Sequence, residues 1–308
     1  MRVALALTAA LNLLATGSRP PVPGLRPPED PLTLESSGAR LAATVRLPTA
    51  GLAKARPPYP GAVLVHGSGR VTGIELLESA GRRLVALGSA VLAYDKRGVG
   101  GSTGEYTSIG PANSDRMFGL LADDALAGIA ALKARRDVDA SRVGFVGFSQ
   151  AGWITPLAAS RSRDVSFVVI ISGPAVSVGE EIAYSNLAGE DPGSEQGVAD
   201  AEIERRMKAF KGPHGYDPVP VLRTLSTPSF WILGEKDRSI PLARTVATLN
   251  DLARTHGRPI SVHVIPGVNH RLMYPAATRP AEASAEAGRQ PDFWRPMEEW
   301  FRMQGVIR

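Results

Sequence analysis

The chain has 308 residues, of which 44% are hydrophobic, 21% charged and 6% aromatic, so it can bury a sizeable core and is not a disordered chain. Its 35 basic and 30 acidic side chains give a net charge of +5, and no run of basic residues suggests a nucleic-acid partner. The absence of cysteine excludes disulfides, thiolate catalysis and cysteine-ligated metal sites.

Residues 1–17 have the pattern of a secretory signal peptide. Arg2 precedes an apolar stretch over residues 3–15, and Ala15-Thr16-Gly17 offers the small side chains that a signal peptidase accepts. The stretch is shorter than the roughly 20 residues of a membrane-spanning helix. We therefore expect an exported protein, periplasmic or secreted, without stable membrane insertion. The alternative is an N-terminal helix on a cytoplasmic protein.

Residues 18–33 are predicted to form a linker, because six prolines lie between Ser18 and Pro31. A single domain is expected over residues 34–308, where strand patterns alternate with helix patterns. The predicted strands are 41–47, 62–65, 90–94, 142–146, 166–172, 230–233 and 260–265. The predicted helices are 74–87, 122–134, 151–160, 242–255 and a C-terminal helix that carries the aromatic residues of 293–301. This alternation predicts an α/β domain with a doubly wound, mostly parallel sheet.

Ser149, beyond the strand 142–146, is the candidate nucleophile. The strand runs into Gly147-Phe148-Ser149-Gln150-Ala151-Gly152, and a helix follows directly. A sharp strand-to-helix turn strains the backbone of the serine and raises its hydroxyl at the sheet edge where ligands bind. The turn needs small residues at Gly147 and Ala151, because larger side chains would collide across it. Ala151 replaces the glycine that is usual at that position.

Ser102 is a rival nucleophile, because Gly100-Gly101-Ser102-Thr103-Gly104 matches the G-x-S-x-G pattern in every letter. The residues from Gly104 to Pro111, however, cannot form the helix that should follow a nucleophile turn. We therefore interpret residues 98–104 as a flexible turn and retain Ser149.

His270 is the candidate base that would take the proton from the serine hydroxyl. It lies on a loop after the last strand, in Pro266-Gly267-Val268-Asn269-His270. The other histidines lie upstream of the nucleophile, in a polar loop, at a helix end or inside a strand: His66, His214, His256 and His263.

Asp237 is the candidate acid that would orient the imidazole, because it also follows a predicted strand. Glu235 is its rival and is interpreted as a solvated loop carboxylate. The chain order Ser149, Asp237, His270 is the nucleophile–acid–base order of the α/β-hydrolases.

Two backbone N–H groups are the candidate donors to the oxyanion of a tetrahedral intermediate. The N–H of Gln150 lies at the start of a helix, whose dipole favours negative charge. The loop His66-Gly67-Ser68-Gly69 follows the strand 62–65, and Ser68 is the preferred donor there. His66 itself is interpreted as a packing residue.

Five segments together resemble the α/β-hydrolase superfamily, namely residues 66–69, 94–102, 147–152, 234–241 and 267–270. The likeness is greatest to the bacterial dienelactone-hydrolase-like and acylaminoacyl-peptidase-like serine hydrolases. It covers the chain from about residue 34 to the C-terminus. The resemblance implies an α/β-hydrolase fold, triad and oxyanion-hole roles for the residues above, and a structural role in the loops for Asp95 and Arg97.

The alternation of strands and helices stops at about residues 174–219. In the superfamily an insertion at this position forms a cap that selects the substrate, so we expect a small helical cap with one helix at about 198–210. The alternative is a surface excursion without contact to the pocket.

These features predict a serine hydrolase that cleaves small or medium carboxylic esters through an acyl-enzyme intermediate. A peptidase or thioesterase with the same triad is the alternative, and a non-catalytic binding protein on this fold is another. The expected chemistry needs no cofactor and no metal, and the expected partner is a small acyl substrate. The sequence indicates no oligomeric state.

If the signal peptide is removed, N-terminal sequencing of the native protein should begin near Ser18. The mature chain would lose only Arg2 among its charges, leaving 34 basic side chains (35 − 1) against 30 acidic ones. Recovery from the cytoplasm of protein that begins at Met1 would contradict export.

Overall fold

The computed structural model describes residues 29–48, 56–189, 198–274 and 291–307. The predicted signal peptide and residues 18–28 of the predicted linker lie outside these ranges. Within them, eight strands form one sheet: β1 (Glu29–Ser36), β2 (Ala39–Arg46), β3 (Tyr59–Val65), β4 (Ala90–Tyr94), β5 (Val138–Phe148), β6 (Val168–Ile171), β7 (Ser229–Gly234) and β8 (Ile260–Ile265).

The spatial order of the strands is β1-β2-β4-β3-β5-β6-β7-β8. The six strands from β4 to β8 in this order are parallel, whereas β1 and β2 are antiparallel additions at one edge. The doubly wound, mostly parallel sheet is therefore confirmed. All parallel strands end at the same edge, so the residues that follow them converge there.

Helices cover both faces of the sheet. They are α1 (Gly73–Leu76), which a π-helical turn (Leu77–Gly81) joins to α2 (Arg82–Ala86), and then α3 (Ser114–Lys133), α4 (Ala151–Arg161), α5 (Val178–Ala188), α6 (Asp200–Lys208), α7 (Val219–Thr224), α8 (Leu242–His256) and α9 (Trp294–Met303). None of them combines the length and the apolar composition that a membrane span would need.

Neighbouring residues of the central strands face opposite layers of the core, as the alternation of side chains along a strand requires. Val63 and Leu92 belong to the layer that contains buried residues of α3, α4 and α8. Leu64 and Ala93 belong to the layer that contains buried residues of α2 and α9. All four side chains are fully buried, which explains why these strands read as continuous apolar runs.

The linker prediction is wrong over its last residues, because β1 begins at Glu29. This strand pairs with the whole of β2, and Pro31 lies opposite Thr44. Proline lacks a backbone N–H and is tolerated on an edge strand, where only one neighbour has to be satisfied. Arg46, which is buried, also donates to the Glu29 carboxylate and anchors the start of the strand.

The prediction of a single helix in the insertion at 174–219 is also wrong. The structure contains α5 before α6, and α5 begins with a capping box in which Ser177 and Glu180 satisfy each other's backbone N–H. Ala188 of α5 packs with Ile203 and Met207 of α6 in a small separate core. In its described residues, 174–189 and 198–219, the insertion thus contains two helices that share an apolar contact.

A buried ion pair fixes the segment after β4. The Arg97 guanidinium donates to both carboxylate oxygens of Asp124 in α3 and to the carbonyls of Ser36 and Ser37 in the β1–β2 hairpin. The Asp124 side chain is fully buried, and burial raises the pKa of its carboxyl. The structural role expected for Arg97 is confirmed.

Replacing Arg97 by Met should lower the free energy of unfolding by about 3–5 kcal/mol, because it leaves a buried carboxylate without its partner. Urea unfolding measures this loss. Lys133→Met is the matched control: it removes a cation from Asp164 at the exposed pair Lys133–Asp164 and should change stability by less than about 1 kcal/mol. Equal losses in the two variants would contradict the interpretation.

Candidate active site

Ser149 lies on a sharp turn between β5 and α4. Its backbone has φ of +51°, in the left-handed region that non-glycine residues rarely adopt. The turn is held from both sides, since the N–H of Ser149 donates to the carbonyl of Ile171 at 2.8 Å and the N–H of Gly152 donates to the carbonyl of Ser149 at 2.8 Å. The strained serine expected from the sequence is present.

Two glycines make this turn possible. A Cβ atom at Gly147 would lie 2.5 Å from the Cβ of Ala151, and one at Gly152 would lie 3.0 Å from the Cα of Gly173. Ala151 is therefore accommodated only because Gly147 opposite it has no side chain. This contact explains how an alanine can replace the glycine that usually occupies position 151.

Three side chains from separate strand ends form one hydrogen-bonded chain. His270 Nε2 lies 3.0 Å from Ser149 Oγ, and His270 Nδ1 lies 2.8 Å from Asp237 Oδ2. These residues follow β8, β5 and β7, whose carboxyl ends meet at the same edge of the sheet. The arrangement can transfer the serine proton to the imidazole and stabilise the resulting imidazolium.

The Asp237 side chain is completely buried, whereas His270 remains about one-quarter exposed. The second carboxylate oxygen of Asp237, Oδ1, accepts hydrogen bonds from the backbone N–H groups of Ser239 at 2.8 Å and Ile240 at 3.0 Å. These two bonds fix the orientation of the carboxylate toward the imidazole. Hydrogen bonds to the charged form also compensate for the loss of water around it.

Glu235 does not reach the imidazole. It is exposed, and its carboxylate accepts a hydrogen bond from the N–H of Gly267 at 2.9 Å. Glu235 therefore stabilises the loop that carries His270, whereas the sequence predicted only a solvated carboxylate without such a contact.

Ser102 is part of the structure of its own turn. Its hydroxyl donates to the carbonyl of Asp95 at 2.7 Å and accepts from the N–H of Ala42 at 3.0 Å. Asp95 in turn accepts from the N–H groups of Gly73 and Gly101. The hydroxyl of Ser102 thus joins the turn to β2, and the next helix, α3, begins only at Ser114.

Ser68 and Gln150 both line a cavity in front of Ser149. Among the described residues, neither of their backbone N–H groups donates a hydrogen bond within the protein. An oxyanion hole requires donors of this kind close to the attacking oxygen.

The cavity is small, with a volume of about 130 Å³. Its remaining walls come from the residues around the nucleophile and from the first cap helix, namely Ile109, Trp153, Pro174, Val178, Glu181, Ile182 and Ile240. Most of these side chains are apolar. The insertion at 174–219 therefore contacts the pocket through α5, in agreement with a cap.

The cap is joined to the loop that carries Asp237. The Tyr184 hydroxyl donates to the carbonyl of Asp237 at 3.2 Å. Arg238, the next residue, donates to the carbonyl of Ala188 at the end of α5 and pairs with Asp200 at the start of α6. Sequence patterns did not predict these contacts, because they join segments that are distant in the chain.

His66 is fully buried and its ring meets Tyr94 edge to face at 5.2 Å. Burial, and then the positive charge of Lys96, hold the pKa of His66 well below its usual value. The residue is neutral and packs beneath the site, as predicted.

Lys96 was not predicted as a site residue. It is buried, and its Nζ donates to the carbonyl of Gly67 at 2.9 Å and to Oε1 of Gln150 at 3.0 Å. Its place two residues after a buried parallel strand is the signal that could have identified it.

A larger open groove of about 680 Å³ lies at the opposite edge of the sheet, before β6 and β7. Arg161, Arg163 and several hydroxyl side chains line it, but the Ser149 chain of hydrogen bonds is far from it.

Within the described ranges, no group of three or more His, Asp or Glu side chains could hold a metal ion.

Comparison with known proteins identifies several relatives. A model of the prolyl oligopeptidase family matches residues 80–288. A protein of Methylorubrum extorquens, assigned by name to the carboxymethylenebutenolidases, is 26% identical over 254 residues, which are 81% of this chain and 74% of the relative. Esterase EstD of Thermotoga maritima is 25% identical over 243 residues, and the match spans 71% of this chain but only 56% of that enzyme. The crystal structure of the Pyrococcus furiosus esterase Pf2001 superposes with a TM-score of 0.60 at 16% identity, covering 90% of this chain and 93% of the other.

Proposed function

This chain belongs to the prolyl oligopeptidase family and is a serine hydrolase with the α/β-hydrolase fold, and we propose that it cleaves small carboxylic esters with Ser149 as the nucleophile. The observation that carries the proposal is the hydrogen-bonded chain from Ser149 through His270 to the buried Asp237. The esterase and carboxymethylenebutenolidase relatives support an ester rather than another acyl substrate.

In the first half of the reaction, Ser149 Oγ attacks the ester carbonyl while its proton passes to His270 Nε2. Asp237 keeps the proton of the imidazole on Nδ1 and stabilises the imidazolium. The imidazolium then gives its proton to the leaving alcohol, and the acyl group remains on Ser149. In the second half, water takes the place of the alcohol and attacks the acyl carbonyl while His270 removes its proton. The bond between the acyl group and Ser149 Oγ then breaks, the imidazolium returns the proton to Oγ, and the acid is released.

A negative oxygen develops on the substrate in both halves of the reaction. We expect the backbone N–H groups of Ser68 and Gln150 to donate hydrogen bonds to it. Such preorganised donors contribute about 10²–10³ in turnover in a well-studied protease. Gln150 also lies at the start of α4, where the helix dipole favours negative charge.

The size of the cavity supports short acyl groups. Pockets that hold drug-sized ligands are typically about 300–1,000 Å³, whereas the cavity at Ser149 has about 130 Å³. Its apolar walls, including Trp153 and Ile182, suit an alkyl or small aromatic acyl group. Peptidase or thioesterase activity with the same residues remains the second candidate, because amides and thioesters pass through the same tetrahedral intermediate.

The apolar segment at residues 3–15 and the small residues that follow it support export as the location of this activity. The substrate would then be a small ester outside the cytoplasm. A cofactor has no step in this mechanism.

Replacing Ser149 by Ala should abolish hydrolysis of p-nitrophenyl acetate and covalent labelling by a fluorophosphonate probe, because the attacking oxygen is removed. Ser102→Ala is the matched control: it should retain labelling, although it loses two hydrogen bonds and some stability. Labelling that survives Ser149→Ala and disappears in Ser102→Ala would reverse the assignment. Rates with p-nitrophenyl esters, acyl-thioesters and aminoacyl amides in parallel would distinguish an esterase from a thioesterase or peptidase.

Asp237→Asn should lower kcat by at least about 10², with KM little changed, because an amide cannot stabilise the imidazolium in the transition state. Glu235→Gln, two residues away, should change kcat by less than about threefold, since the partners of Glu235 are the backbone N–H of Gly267 and the exposed Lys236. Steady-state kinetics on the same ester measure both. An inactive Glu235→Gln with an active Asp237→Asn would move the acid to position 235.

A further inference from the structure

Lys96 is a buried cation that the mechanism above does not use. It is the second residue after β4, and its side chain is only slightly exposed. Its own backbone is fixed, because its N–H donates to the carbonyl of Val71 and its carbonyl accepts from the N–H of Val99. Within the described ranges, no carboxylate pairs with its ammonium group; the Tyr106 ring, with its centroid 5.7 Å from Nζ, is the aromatic contact.

A buried ammonium without a carboxylate partner is unfavourable for stability, because the charge loses its hydration. Burial accordingly lowers the pKa of Lys96 to about 7. An apolar side chain of similar length would avoid this desolvation. A functional reason for the lysine is therefore to be sought in what its Nζ contacts.

The first contact, the carbonyl of Gly67, belongs to the same peptide group as the N–H of Ser68. A trans peptide is planar, and its carbonyl and N–H point in opposite directions. Lys96 thus fixes the orientation of this peptide, and the N–H of Ser68, a residue that lines the cavity, points away from the lysine. A cation on the carbonyl oxygen also polarises the peptide, which makes its N–H a better donor.

The second contact is the side chain of Gln150, whose backbone N–H is the other oxyanion donor. Gln150 is buried, and its Oε1 accepts from Nζ at 3.0 Å. One ammonium group therefore joins the loop after β3 to the turn after β5. The two proposed donors come from separate segments, and Lys96 contacts both of those segments.

We propose that Lys96 is a positioning residue of the oxyanion hole, which sets the separation and orientation of the N–H groups of Ser68 and Gln150 by holding Gly67 and the Gln150 side chain. The inference rests on the proposed function, since it needs a tetrahedral intermediate on Ser149. It does not depend on one protonation state, because both the ammonium and the neutral amine have enough N–H groups for the two hydrogen bonds.

The groups that face Lys96 come from three segments. His66, at the start of the loop after β3, is neutral. Tyr106 lies over the ammonium, and the exposed Arg70 stacks on the same ring at 5.0 Å while donating to the carbonyl of Gly98. Asp95, the preceding residue, is engaged by the N–H groups of Gly73 and Gly101.

The test uses Lys96→Met, which keeps the length of the side chain and removes both hydrogen bonds. We expect kcat on p-nitrophenyl acetate to fall by about 10- to 100-fold with KM within about threefold, because the donors act on the oxyanion rather than on the bound ester. Affinity for a boronic acid, which forms a tetrahedral adduct with the serine, should fall by a similar factor. Lys96→Gln, which keeps an N–H donor, should recover part of both losses.

Arg70→Met is the matched control, because it removes a cation from the same Tyr106 ring without touching Gly67 or Gln150. It should keep kcat and boronate affinity within about twofold. Titration of each variant with the fluorophosphonate probe gives the fraction of folded sites to which kcat is normalised, and circular dichroism gives Tm.

An active wild type in which Lys96→Met keeps normal kcat and boronate affinity per titrated site would overturn the inference while leaving the proposed function intact. A loss seen only in the number of titrated sites or in Tm would also overturn it, because Lys96 would then be merely structural. A wild type that neither hydrolyses esters nor reacts with the probe would instead refute the proposed function.

Discussion

The parallel strands of this protein all end at one edge of the sheet, and this constraint determines where its chemistry can occur. Burial on both faces forces the central strands to be short apolar runs, so polar side chains are displaced to the residues that follow them. Ser149, Asp237 and His270 follow three different strands, yet the parallel arrangement brings them within hydrogen-bond distance. The turn at Ser149 adds the second requirement, a backbone at φ of +51° that the glycines around it permit. The sheet brings the three side chains together, and the turn places the Ser149 hydroxyl at the cavity.

Two buried ionisable side chains, Asp237 and Lys96, lie close to Ser149 or to its neighbour Gln150, and they are stabilised in different ways. Asp237 is compensated by two backbone N–H groups and by the imidazole. Lys96 contacts a carbonyl and an amide oxygen, which are dipoles rather than charges. In the proposed mechanism the carboxylate acts on the base, and the lysine acts on the peptide groups proposed to bind the negative oxygen. Groups of both kinds lose hydration on folding, and such losses are common where a site is arranged in advance of the reaction.

The sequence was sufficient for seven of the eight described strands and for the serine, histidine and aspartate that meet in the structure, because apolar strand patterns and the residues after them are local signals. Other features were not accessible from local patterns. β1 was hidden by Pro31, since a proline argues against a strand unless its place at the edge of a sheet is known. The start of α5 carried a capping-box signal in Ser177 and Glu180, but the insertion around it lacks a long periodic pattern. Contacts such as Lys96 with Gly67, or Tyr184 with Asp237, join residues that are far apart in the chain, and only the folded arrangement relates them.

The contacts of Arg238 limit how the sequence of the cap can change during evolution. It is the residue next to Asp237, and it holds the end of α5 and the start of α6. An insertion that selects substrates would diverge most freely if it were mechanically separate from the residues that react. Here Arg238 joins the cap to the loop that carries Asp237. A cap sequence without an acceptor for Arg238 would lose these contacts next to the Asp237 carboxylate. Val178 and Ile182 of α5, by contrast, line the cavity and can change without loss of these contacts. Recombination of caps between relatives would face the same restriction, with the junction at residue 238 deciding which exchanges remain viable.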